Sequence, residues 1–154
     1  MKSRLIDFAK NIYSQFGEDG IIEKIFSIIK PTTKLCVEFG AWDGEYLSNT
    51  ANLWKNKGWS AVLVEADEER IKSVEQTSKV LPICAKIGWD NQKDSIDFIL
   101  KKNSIFEQID FMSIDIDGDD YWVFEQLGCR PNVICIEYNP TVSFWIDCVQ
   151  EPGQ

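Results

Sequence analysis

Five short apolar runs, at 35–39, 61–65, 80–85, 110–116 and 132–138, alternate with helix-patterned segments along the chain. The runs are near-continuous, not alternating apolar with polar, so each strand they form needs cover on both faces. Strands of that kind, joined by helical crossovers, build parallel sheets. Helices are expected at 18–29, where Ile21, Ile22, Ile25, Phe26 and Ile29 share a face, and at 49–57, 67–78, 92–102 and 119–127. Pro31, Gly58 and Gly128 mark three of their ends. Pro82 sits inside the third run. Proline cannot donate to a ladder, so that strand belongs at an edge. The strand order 3-2-1-4-5 satisfies this, which makes the expected fold class α/β: a Rossmann-like, doubly wound parallel sheet in one domain over residues 1–154.

The first strand carries the chemistry. Leu35-Cys36-Val37-Glu38-Phe39 runs into the turn Gly40-Ala41-Trp42-Asp43-Gly44, and Ser48-Asn49-Thr50 then reads as a helix start. Glycines there let a ligand lie against bare backbone, and a helix start offers free N–H groups. The second strand ends in Glu65, followed by Ala66, about 20 residues past Gly44. A carboxylate at that offset is placed to bind a ribose diol. Two carboxylates around one glycine turn point to an adenosyl cofactor. Glu38 ends a buried strand, where an unpaired carboxylate is costly, and a cationic ligand is the expected partner. Trp42, at the centre of the turn, either narrows the pocket or stacks on the ligand. Asp90, after the third strand, either receives an adenine amino group or caps the following helix. Gln15, in the loop before the first helix, is a further pocket candidate. Trp89 lies in a strand-to-helix loop and is one more.

Composition removes several classes of function. The chain has no histidine, which excludes His-based triads, His metal sites and the commonest general base. Net charge is −9, from 25 acidic and 16 basic residues, which argues against a nucleic-acid backbone as partner. The five cysteines form no C-x-x-C pair, and Cys36, Cys84 and Cys135 lie in apolar runs, so these three read as buried free thiols, which fits a reducing cytoplasm. No apolar run approaches transmembrane length, so no membrane partner is expected.

An ordered set of blocks resembles a known family. The blocks are Ser14-Gln15-Phe16-Gly17-Glu18-Asp19, Val37 to Gly44 with Ser48-Asn49-Thr50, Glu65, Ser113-Ile114-Asp115-Ile116-Asp117-Gly118, and Ile136-Glu137-Tyr138-Asn139-Pro140. Over roughly Tyr13 to Pro140 the chain is similar to the FkbM-type branch of class I S-adenosylmethionine-dependent methyltransferases. The resemblance implies methyl transfer to the hydroxyl of a sugar-like ring or another small molecule. Such domains usually continue through a helix and a two-strand hairpin after the fifth strand. Neither is present, so the domain reads as C-terminally incomplete, and activity of these 154 residues alone is open.

Asp115, Asp117, Asp119 and Asp120 crowd the end of the fourth strand. Asp119 and Asp120 suit helix capping. Asp117 or Asp115 is then available to accept the substrate hydroxyl's proton. Mg2+ held by Asp115, Asp117, Glu137 or Asn139 is the less favoured reading. Two rival functions stand beside methyl transfer. One is an NAD(P)-dependent oxidoreductase, although the turn lacks Gly-x-Gly-x-x-Gly spacing. The other is a non-catalytic cofactor-binding or interaction module. The apolar fifth strand has no further strand to pair with, so the chain is expected to self-associate there, or to fold its segment 142–149 back over that edge.

Overall fold

The computed structural model describes residues 3–138, 141–143 and 145–151. Its sheet has five parallel strands in the order β3-β2-β1-β4-β5: β1 (Leu35–Phe39), β2 (Ser60–Glu65), β3 (Val80–Cys84), β4 (Phe111–Ile114) and β5 (Val133–Ile136). Pro82 lies on the edge strand β3, opposite Leu63. Of the three cysteines expected to be buried, only Cys36 on the central strand is; Cys84 ends the edge strand β3 and is exposed, and Cys135 on the outer strand β5 is half-buried. The central strand β1 is buried along its whole length and pairs with β2 through Val37–Val62 and with β4 through Val37–Met112.

The pleat of β1 divides its side chains between two cores. Leu35, Val37 and Phe39 pack with Ile96, Ile99 and Leu100 of α4 (Ile96–Lys102) and with Val123 of α5 (Asp120–Glu125). Cys36, on the opposite face, packs with Ile22 and Phe26 of α1 (Glu18–Ile28), Leu53 of α2 (Ala51–Asn56) and Ile71 of α3 (Glu68–Ile71). Connections leaving β1 toward β2 and β3 thus cover one face, and those toward β4 and β5 cover the other. The winding reverses between β1 and β4, and in open α/β sheets the crevice for a ligand forms at that reversal.

Several helices are shorter than their sequence patterns suggest, each for a local reason. The expected helix 67–78 stops at Ile71. Thr77 Oγ1 accepts the N–H groups of Lys79 and Val80 and draws the chain into β3 instead. The helix expected from residue 92 starts at Ile96, where Ser95 Oγ accepts the Phe98 N–H. The helix expected from residue 49 starts at Ala51, because residues 48–50 are used to satisfy a buried carboxylate. Asp119 holds the N-cap position of α5 without a side-chain cap bond, while Asp120 accepts the N–H groups of Ile116 and Gly118.

Beyond β5, the described residues up to 151 lie near α5 without adding to the ladder. Trp122 Nε1 donates to the Gln150 carbonyl. Asn139 and Pro140, singled out above as a block and as one ligand candidate, lie outside the described residues. No helix among the described residues is long and apolar enough to cross a membrane.

Candidate functional site

A cavity of about 420 Å³ opens at the carboxyl ends of β1, β2, β4 and β5. It is built from the backbone outward. Gly40 turns out of β1 at φ +75°, and the Gly40 and Ala41 N–H groups both donate to the Val64 carbonyl of β2. A Cβ on Gly40 would lie 1.6 Å from the Asp115 carbonyl oxygen, so only glycine lets the β1 and β4 ends meet this closely. Trp42, Leu47 and Asp117 all line the cavity in the left-handed region, at φ 50°, 54° and 58°. Non-glycine residues held there cost roughly 1–3 kcal/mol each and cluster at ligand sites.

Glu38 lies only 4% exposed beneath the turn. Its hydrogen-bond partners in the protein are neutral groups, not a cation. Ser48 Oγ and Thr50 Oγ1 donate to Oε2, both at 2.6 Å, and the Asn49 N–H donates to Oε1 at 2.8 Å. Burial nevertheless pushes its carboxyl above the ordinary value. Ser48 Oγ in turn accepts the N–H groups of Thr50 and Ala51. The N–H groups of residues 49–51, at the helix start, are therefore taken by Glu38 and Ser48. Asn49 remains in the wall, its amide donating to Ser113 Oγ.

Glu65 is 7% exposed and lines the opposite wall with Ala66. It accepts the Trp42 N–H on one oxygen and the Asp67 N–H on the other, both at 2.9 Å, which leaves each oxygen a further lone pair. The Arg70 guanidinium stacks 3.4 Å from the Trp42 ring centre. Gln15 completes this side.

The acidic group gathers on the far wall. Asp115, Asp117, Asp119 and Glu137 all face the cavity. One oxygen each of Asp115, Asp120 and Glu137 lie within 4.8 Å of one another. Burial, then the neighbouring Asp115 charge, pushes Glu137 from 4.5 to about 7. Burial likewise raises Asp115, which hydrogen-bonds to Glu137. Two carboxyls this close disfavour each other's ionisation.

Of the residues nominated from sequence, Gln15, Glu38, Gly40, Ala41, Trp42, Asn49, Glu65, Ala66, Asp115 and Asp117 line the cavity. Asp43, Gly44 and Asp90 do not. Asp43 Oδ1 is taken by the N–H groups of Glu45 and Tyr46. Gly44 faces inward, where a Cβ would meet Leu63 and Val74 at 3.0 and 3.1 Å. Asp90 is exposed outside the wall, and Trp89 packs on Trp122 instead of the cavity. From the sequence, Glu137 stands out only as a metal-ligand candidate, and Arg70 and Lys86 not at all. Glu137 was signalled by a carboxylate directly after an apolar run, as at Glu38 and Glu65. Arg70 and Lys86 carried no comparable signal.

The wall holds six carboxylates (Glu38, Glu65, Asp115, Asp117, Asp119, Glu137) against two cations, Arg70 and Lys86. Arg70 already pairs with Asp67 at 3.5 Å. Such a donor set fits a ligand bearing positive charge and hydroxyls, and it opposes a pyrophosphate. No protein-family model, curated protein or solved structure matches the chain.

Proposed function

We propose that the chain is an S-adenosylmethionine-dependent methyltransferase acting on a hydroxyl oxygen, as its resemblance to the FkbM-type enzymes implies. The observation that carries this reading is the state of the turn after β1. A dinucleotide-binding site needs open N–H groups at the helix start for its pyrophosphate. Here those of residues 49–51 are bonded to Glu38 and Ser48, in a wall of six carboxylates. That disfavours the NAD(P)-dependent alternative and suits a sulfonium and an ammonium.

The chain's own groups then have distinct tasks. Glu65 receives the ribose hydroxyls on its free lone pairs. Gly40 and Ala41 allow close backbone approach. Trp42, with the Arg70 guanidinium stacked on its ring, gives a flat surface beside Glu65. S-adenosylmethionine bound there would supply a sulfonium-activated methyl for the acceptor oxygen, with the neutral thioether as its leaving group. Glu137, poised near neutrality, takes the hydroxyl proton, with Asp115 and Asp117 beside it. Alignment of oxygen, carbon and sulfur supplies much of the remaining acceleration.

Glu65→Ala is the direct test. Loss of charge-assisted bonds to the ribose should weaken S-adenosylhomocysteine binding by roughly 2–3 kcal/mol. Calorimetry on the folded variant reads this, and wild-type affinity would refute the ribose assignment.

Glu137→Gln tests the base. The methyl-transfer rate should fall on the order of 10²-fold, the low end for a lost general base because Asp115 and Asp117 remain. The wild-type rate should rise with pH through about 7, and the variant should lack that limb. Stability has the opposite sign. A raised carboxyl stabilises the fold fully below its unfolded value of 4.5, and this contribution is lost as pH rises through about 7. Thermal melts should therefore show wild type losing stability relative to Glu137→Gln between those pH values. Parallel melting curves would show that Glu137 is not raised.

A further inference from the structure

A second cavity, of about 780 Å³, lies between α5, the end of β5 and the segment that follows. It adjoins the first: Asp117 and Glu137 line both. Its other walls are largely apolar, with Tyr121 and Phe124 from α5, Ile136 from β5, and Val142, Ile146 and Val149 from the following segment. Among the described residues lining it there is no lysine or arginine, whereas Asp117, Asp120 and Glu137 are all acidic.

We infer that this second cavity is the acceptor subsite, and that it takes an uncharged aryl alcohol whose hydroxyl points at Glu137 and Asp117. The inference rests on the methyl-transfer reading and narrows its substrate class. Three observations support it. Among the described residues, the two cavities share Asp117 and Glu137, the carboxylates suited to receive the acceptor's proton, so a hydroxyl there lies between cofactor and base. The volume is within the usual range for a small-molecule site. The walls offer an apolar, partly aromatic surface and no cation. A sugar phosphate or nucleotide-linked sugar would bring anionic charge against three carboxylates with nothing to neutralise it. A bare sugar would set much of its hydroxyl-rich ring against Phe124, Ile136, Val142, Ile146 and Val149, with Ser143 and Gln150 among the few neutral polar groups of the wall. An aryl body instead buries apolar area against Tyr121 and Phe124 and presents one hydroxyl to the acidic end.

The test uses the full chain and three probes of different chemistry: naphthol, naphthyl phosphate and methyl glucoside. Binding is followed by amide NMR shifts, with S-adenosylhomocysteine affinity measured separately by calorimetry. Naphthol should bind at least about 10-fold more tightly than either other probe. Ile146→Asp and Val142→Asp place a charge in the apolar wall at positions 61% and 38% exposed, where the fold tolerates it. Each should weaken naphthol at least about 10-fold and leave S-adenosylhomocysteine affinity unchanged. Equal or tighter binding of naphthyl phosphate or methyl glucoside overturns the substrate class. Wild-type naphthol affinity in both variants overturns the location. Naphthol binding that depends on these residues in a chain that binds no S-adenosylhomocysteine overturns the acceptor role, and shows that the methyl-transfer reading has failed separately from the aryl site.

Discussion

Gly40→Ala is expected to cost roughly 3–6 kcal/mol of folding stability, enough to unfold a domain of ordinary stability. Two independent penalties meet at this position. The residue holds φ at +75°, where a side chain is strained. The new Cβ would also fall 1.6 Å from the Asp115 carbonyl oxygen. That atom is backbone of the adjoining strand's end and cannot swing aside. Separation of β1 from β4 is the only relief, and it breaks the Asp115 N–H bond to the Phe39 carbonyl. The same movement displaces the Asp115 carboxyl, so any folded fraction should also bind ligand poorly. Denaturant melts measure the loss. A Gly40→Ala protein of wild-type stability would show that the β1 and β4 ends do not approach as described.

Asp110→Ala should cost roughly 3–4 kcal/mol. The carboxylate sits at the opposite end of the sheet from the cavity and ties three segments together. It accepts the N–H groups of Thr32, Thr33 and Lys34, the Thr33 hydroxyl and the Asn132 amide. The loop entering β1 and the loop entering β5 are thereby fixed to the start of β4. Burial alone would raise this carboxyl, but the N–H donors outweigh it and hold it below its ordinary 3.8. A lowered carboxyl gives stability that is present above 3.8 and lost as pH falls through its still lower folded value. The gap between wild type and Asp110→Ala should therefore be full at neutral pH and close in acid. A gap independent of pH would mean that the charge does not matter. Ligand affinity of the folded variant should be near wild type, which separates this scaffold residue from those of the cavity.

The sheet was legible because both-face burial leaves a mark at every position of a strand. Cys36, Val37 and Phe39 are all fully buried, so no polar residue interrupts β1 before Glu38. Pro82 located the edge through a missing donor, which is a local property. Helix lengths were less legible. Thr77, Ser95 and the Ser48–Thr50 group end or delay helices through side-chain bonds whose partners cannot be assigned from spacing alone.

The same distinction holds at the site. Glycine and carboxylates directly after apolar runs placed Glu38, Gly40, Glu65 and Asp115 at one sheet edge. The consumption of the helix-start N–H groups was hidden, since it depends on Glu38 reaching Ser48 and Asn49, 10 and 11 residues away. Asp43 and Gly44 belong to the same turn as Gly40 but face away from the cavity, a matter of dihedral angles. Asp110 carried no signal beyond opening a strand, and its role emerges only from partners 76–78 and 22 residues distant.

Calorimetric titration of the purified chain with S-adenosylhomocysteine, beside NAD+ under the same conditions, tests the central claim most directly. The account predicts saturable one-site binding of S-adenosylhomocysteine, weakened by Glu65→Ala, and no heat from NAD+. Binding of NAD+ without S-adenosylhomocysteine, or binding of neither, would contradict it.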